Sequence, residues 1–199
     1  MVTRYLHKLS FIVIAIMALS VFATAQTSPK TDFPNIKIGN FGQIDEHYYR
    51  GAQPEPGDYA SLAALGVKTV IDLRDDPTSY EKTSVEKAGM TYVNIPMSGW
   101  RTPRDESVNA FLKLANDPAT GTIFVHCKAG IHRTGITAAV YRFTKFGWGY
   151  DQAFVEMKNY NFYTGWIHGA LKTYVKRYAE RLLVEKRNTA QILTAAVIK

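Results

Sequence analysis

The chain has 199 residues, a formal net charge of +7 and a single cysteine. That length suffices for one domain with a substantial core, and one cysteine excludes an internal disulfide. The basic excess fits an anionic substrate, an acidic surface or simply a solvated face; no basic run with interleaved aromatics marks a nucleic-acid binder.

In chain order, the first segment reads as a targeting signal. Arg4, His7 and Lys8 make a basic start, residues 9–21 are almost wholly apolar, and Ala23-Thr24-Ala25 is a small-x-small cleavage site. Residues 1–25 are therefore expected to be a secretory signal peptide, leaving a secreted or periplasmic protein without a stable membrane span. An uncleaved anchor is the alternative. Residues 26–47 read as a loose polar leader, 48–187 as the folded domain and 188–199 as a helical or frayed tail.

Within the domain, 48–54 predicts a short strand and turn. A helix is expected over 56–65, ended by Gly66. Residues 67–73 are mostly apolar, as a buried parallel strand requires. A short helix over 83–88 closes at Gly89, and a strand follows over 90–97. Residues 98–101 are a loop. A helix over 103–116 is expected to carry a capping box from Thr102 to Asp105. A strand over 122–125 precedes a helix over 133–146, ended by Gly147. Asp151 is the expected N-cap of a helix to 159, and a long amphipathic helix starts near 165. Strands alternating with helices predict an α/β fold, a central mostly parallel sheet of four to five strands flanked by helices. Ligands bind at the carboxyl ends of such strands.

The cysteine lies at such an end. The sequence runs His126-Cys127-Lys128-Ala129-Gly130-Ile131-His132-Arg133-Thr134-Gly135. A strand entering a Gly-bearing loop and then a helix aims backbone N–H groups and a helix N-terminus at one point, which suits a phosphate-like anion. The same potential favours a thiolate at Cys127. Such a thiolate can attack phosphorus, and water can then hydrolyse the phosphoryl-cysteine. After five intervening residues, Arg133 returns over the same anion with a planar fork that grips two oxygens. Lys128, Ala129, Gly130, Ile131 and His132 line the loop between them. Thr134 is positioned to stabilise the thiolate, and His126 to brace the loop. For an isolated cysteine, a small buried hydrophobe would be the default.

This run resembles the signature of the cysteine-dependent protein tyrosine phosphatase superfamily, in its dual-specificity branch. Tyr49-Arg50-Gly51-Ala52-Gln53-Pro54 is similar to the YRSxQP element of the bacterial and plant–fungal atypical members, with Gly51 in place of their Ser. Ile71-Asp72-Leu73-Arg74 is similar to their second-strand DLR. Ile95-Pro96-Met97 resembles the entry to their general-acid loop. The resemblance implies a dual-specificity phosphatase-like fold and a cysteinyl-phosphate intermediate. It also implies an aspartate that protonates the leaving group. Aligning that loop puts Gly99 at the acid's position. The candidates are then Asp105, which also reads as a helix cap, or Asp75 and Asp76 on another loop, or none.

Lys128 follows the cysteine as in phosphoinositide phosphatases of the superfamily, but Ile131 replaces their second Lys. The aromatics from Tyr160 to Trp166 read as packing between helices, and His168 has no evident role. The expected substrate is an anionic phosphorylated protein or an inositol polyphosphate or pyrophosphate. A phosphate-binding module without turnover is the rival from another class. No cofactor is implied. No metal is expected, since His126, His132 and His168 lack ligand spacing with carboxylates.

Overall fold

The computed structural model describes residues 33–163, 165 and 168–197. The signal reading over 1–25 and residues 26–32 of the leader lie outside them. The elements are β1 (Gly42–Asp45), β2 (Tyr48–Gly51), α1 (Tyr59–Ala64), β3 (Thr69–Arg74), α2 (Glu81–Lys87), β4 (Thr91–Met97), α3 (Asp105–Asn116), β5 (Ile123–His126), α4 (His132–Lys145), α5 (Tyr150–Asn159) and α6 (Gly169–Val197). The strands form one sheet in the order β1-β2-β5-β3-β4. Only the β1–β2 pair is antiparallel; β2–β5, β5–β3 and β3–β4 are parallel.

The two central strands, β5 and β3, are buried on both faces, and their apolar runs divide by the period of two. Register pairs Val70 with Phe124 and Ile71 with Val125. Val70 and Phe124 join Tyr59, Leu62 and Val85 in the core under α1 and α2. Ile71 and Val125 join Phe111, Ile136, Val140, Met157, Leu171 and Val175 in the core under α3 to α6. Helix α4 is buried from Arg133 to Phe143. It packs between the sheet and helices α5 and α6, so the loop preceding it is fixed at both ends.

Three local readings change. The segment read as a leader contributes β1, whose four residues carry too little pattern to stand out in sequence. Helix α3 begins at Asp105 after Arg104, with no side-chain cap. The Asp105 carboxylate is instead drawn to α6, accepting bonds from Tyr174 (2.9 Å) and Arg181 (2.9 and 3.2 Å). Gly149, not Asp151, is the N-cap of α5. Asp151 falls in the first turn, where its charge still complements the helix dipole. The tail continues α6 as helix to Val197.

Candidate active site

Cys127 sits one residue beyond β5 and five before α4, 3% exposed. The intervening loop is pinned from outside. Gly130 has φ +65°, and a Cβ there would lie 2.5 Å from the Gly51 carbonyl carbon, so only glycine allows this approach. The Gly130 carbonyl accepts from Arg50 Nη2 and from Asn40 Nδ2 (2.7 Å). Gln53 N donates to the Lys128 carbonyl at 3.2 Å. The Tyr49-to-Pro54 element is thus the outer wall of the cysteine loop.

Burial works against a charged Cys127, but other contacts outweigh it. The Thr134 hydroxyl and amide, the Arg133 charge and the Ile131 amide together hold the thiol below its ordinary range. The Thr134 hydroxyl is buried and makes no aligned hydrogen bond among the described residues. Its proton is free to rotate toward the sulfur. Arg133 Nη1 donates to Asp75 Oδ1 (2.9 Å) and to the Met97 carbonyl (3.1 Å), which spans the ends of β3 and β4.

Behind the cysteine lies a buried polar cluster. His126 Nε2 is 2.7 Å from Glu81 Oε1 and 4.0 Å from Asp72 Oδ1, all three being fully buried. The Glu81 contact is short but not aligned as a hydrogen bond. Glu81 also accepts from Tyr59 (3.0 Å) and Gln53 (2.9 Å). Asp72 accepts from the Arg74 amide and Tyr92, and Gln53 Oε1 accepts from Arg74 (2.8 Å). Burial pulls the Glu81 carboxyl upward, yet His126, Gln53 and Tyr59 bring it below its usual value. Burial raises Asp72, and its bonds do not restore it. This trio has a metal-compatible spread that linear spacing did not reveal. Its carboxylates are already engaged by the donors named here.

The acid candidates separate clearly. Gly99 faces the clamp: a Cβ there would stand 3.7 Å from Arg133 Cζ. Asp75 touches Arg133. Asp76 pairs with Arg74 (3.0 Å), which lowers its carboxyl pKa. Asp105, expected as a candidate donor, lies at the start of α3 against the side of α6, paired with Arg181. That bond holds it below the usual carboxylate range, the wrong direction for delivering a proton at neutral pH.

Residues 30–171 match the model of a family described as DSP-PTPase phosphatase fused to NAD+ kinase. The chain belongs to the DSP-PTPase family. Among curated relatives, the dual specificity protein phosphatase TpbA of Pseudomonas aeruginosa (strain UCBPP-PA14) is 31% identical over 62% of this chain and 55% of that protein. Inositol diphosphatase DSP4 of Arabidopsis thaliana is 27% identical over 52% of this chain and 54% of that protein. The chain thus spans about half the length of these relatives. The crystal structure of P. aeruginosa TpbA superposes with TM-score 0.61 and 27% identity, covering 74% of this chain and 88% of that one. The core of the S. cerevisiae PP-IP phosphatase SIW14 shares the fold, with TM-score 0.62 and 22% identity over 73% and 94% of the two chains.

In this DSP-PTPase the rim of the loop is built from rings. His132 stacks on His168 at 3.8 Å, and Trp100 stacks on the other imidazole at 5.7 Å. His132 Nε2 lies 3.0 Å from the Tyr163 carbonyl. Burial lowers the His132 pKa, with His168 and Arg133 adding to the effect. Lys128 and Ala129 are exposed and Ile131 half-buried, leaving Lys128 as the cationic side chain on the loop's outer face. Tyr160 and Phe162 pack inward as expected, and Thr164 and Trp166 lie outside the described residues. Sequence reasoning missed Glu81, Tyr59 and the His168 stack. Gln53 and Arg50 stood in the matched motif, but nothing in their spacing announced their contacts.

Proposed function

We propose that this chain is an exported DSP-type phosphatase that hydrolyses phosphomonoesters through a cysteinyl-phosphate. The observation that carries the reading is the placement of a buried Cys127 between the end of β5 and the start of α4, where the Thr134 hydroxyl and amide, the Arg133 charge and the Ile131 amide hold its thiol below the ordinary range. The phosphoryl group docks on the loop amides, with its equatorial oxygens toward the Arg133 fork. Cys127 Sγ attacks phosphorus as the bond to the leaving oxygen breaks, and that oxygen takes the electron pair. Water then attacks phosphorus, and Sγ departs as a thiolate steadied by Thr134.

Gly99 provides no proton donor, so substrates with good leaving groups are favoured. Phosphotyrosine leaves as a phenoxide, whose conjugate acid has pKa about 10, and is the preferred protein substrate over phosphoserine and phosphothreonine. An inositol pyrophosphate, whose leaving group is itself a phosphate, is the second reading and rests on the same missing side chain. Wild-type turnover of p-nitrophenyl phosphate, abolished in Cys127→Ser and unaffected by chelators, is the expected result. An inert wild type would favour the binding module. Parallel assays of phosphotyrosine peptides, phosphoserine peptides and inositol pyrophosphates would rank the substrates. Export is supported by the signal pattern over 1–25. N-terminal sequencing of secreted material should begin at Gln26, and recovery with Met1 intact would overturn cleavage. Among the described residues no helix is long and apolar enough to cross a membrane.

A further inference from the structure

Arg50 is fully buried on β2, and none of the chemical steps above employs it. Its Nη2 donates to the Gly130 carbonyl, and its guanidinium carbon lies 4.0 Å from the Tyr160 ring centroid. Nε and Nη1 have no hydrogen-bond partner among the described residues. A guanidinium keeps its proton even when buried, and uncompensated buried charge is costly. An anion is therefore needed nearby.

In register, Arg50 pairs with Val125 on β5, two residues before Cys127 and so on the same face of the sheet. The titratable groups whose charges bear most on Arg50 are Tyr48 on its own strand, Tyr160 after α5, Cys127 beyond β5 and Glu156 on α5. Burial keeps both tyrosines neutral. Glu156 is gripped through both oxygens by Arg142, at 2.6 to 3.2 Å. Cys127 is the remaining anion. On its other sides, Cys127 faces Arg133, whose charge is shared with Asp75. Its chain neighbour His126 is turned to Glu81 and Asp72. Thr134, Arg133 and Ile131 lower the thiol pKa, and they approach from the α4 side. Arg50 lies on the β2 side, against the back of the loop.

We propose that Arg50 is a positioning residue acting from behind the phosphate loop: its fixed charge helps keep Cys127 a thiolate, and its bond to the Gly130 carbonyl keeps the loop curved around the phosphate. This assignment rests on the phosphatase reading above. Charge and shape can be separated. Arg50→Met removes both, Arg50→Lys keeps the charge and loses the fork, and Asn40→Ala removes the second bond to the same carbonyl, with Asn40's bond to the Tyr160 carbonyl, and changes no charge.

The test is the rate of Cys127 alkylation by iodoacetamide as a function of pH, beside kcat/KM for p-nitrophenyl phosphate and circular dichroism for folding. In Arg50→Met the alkylation midpoint should rise by about half to one pH unit. kcat/KM should fall more at acidic than at alkaline pH. Arg50→Lys and Asn40→Ala should keep the wild-type midpoint while turning over more slowly. A folded Arg50→Met with an unmoved midpoint overturns the proposal. So does an equal rise in Asn40→Ala, which carries no charge change. If Arg50→Met does not fold, Arg50→Gln, which removes the charge and keeps an N–H donor for the Gly130 carbonyl, takes its place: a raised midpoint supports the proposal and an unmoved one overturns it. Alkylation needs no turnover, so an inert wild type with a shifted Arg50→Met midpoint would sink the phosphatase reading and spare this one.

Discussion

Gly99 and Asp75 flank the same guanidinium, and the chemistry at Arg133 depends on what each can supply. A Cβ at Gly99 would make ordinary contact with the Arg133 fork, so a carboxylate there would stand over the bound phosphate. Gly99→Asp should therefore raise kcat on alkyl phosphates by about tenfold or more and change aryl phosphates little, since a positioned acid matters most for poor leaving groups. Of the native aspartates, Asp75 is the one on the clamp. Its carboxylate is tied to that guanidinium, so Asp75→Asn should slow alkyl and aryl substrates alike by loosening Arg133, while Asp105→Asn should leave both unchanged and cost only the small stability of an exposed ion pair. A loss confined to alkyl substrates in Asp75→Asn would make Asp75 a proton donor and overturn the leaving-group preference. Thr134→Ala should lift the Cys127 pKa and slow dephosphorylation about tenfold, the worth of a hydrogen bond to a charged group. Stopped-flow traces should then show a burst followed by slow turnover.

The strand–loop–helix unit that carries Cys127 was legible in sequence because everything it needs is contiguous. An apolar strand, a glycine at the loop's one φ-positive position and an arginine separated from the cysteine by five residues lie within a single run. What surrounds the unit was not legible, because it is assembled from separate elements. Glu81 opens α2, Tyr59 opens α1, and both meet beneath His126 of β5. The Asp105 cap failed for the same reason: its carboxylate found Arg181, 76 residues away, and no local pattern encodes such a competitor. The buried cluster has its own signature. Glu81 has a lowered folded pKa, so its contribution is fully present above the ordinary glutamate value and is lost as pH falls through the folded one. Glu81→Gln should cost about 3–5 kcal/mol at neutral pH, the usual cost of breaking a buried pair. The gap to wild type in melting temperature should shrink below that window. Gly130→Ala should fold but bind phosphate poorly, because both its backbone angle and its contact with Gly51 oppose a methyl group.

At the scale of the whole molecule, the strand order explains why one end of the sheet is the site. β5 lies at the centre between β2 and β3, so the ends of three parallel strands deliver Gly51, Cys127 and Asp75 side by side. β4, beyond β3, adds Met97 and Gly99. Helix α6 braces this frame only through its first half. Leu171, Val175, Tyr178 and Ala179 are buried, whereas Leu183, Val184, Ile192 and Leu193 stand in solvent. Removing residues 188–199 should therefore leave melting temperature and kcat/KM at wild-type values; a drop in either would reveal a tertiary role for those turns. The solitude of Cys127 has a last consequence. Thiolates are the sulfurs that peroxide attacks first, and the sulfenic acid so formed is usually rescued by a nearby resolving thiol. This chain contains none. The oxidised sulfur can condense only with a backbone nitrogen of its own loop or with a thiol from outside. Peroxide-treated protein should regain turnover on addition of a small-molecule thiol, and its mass should never register an intramolecular disulfide.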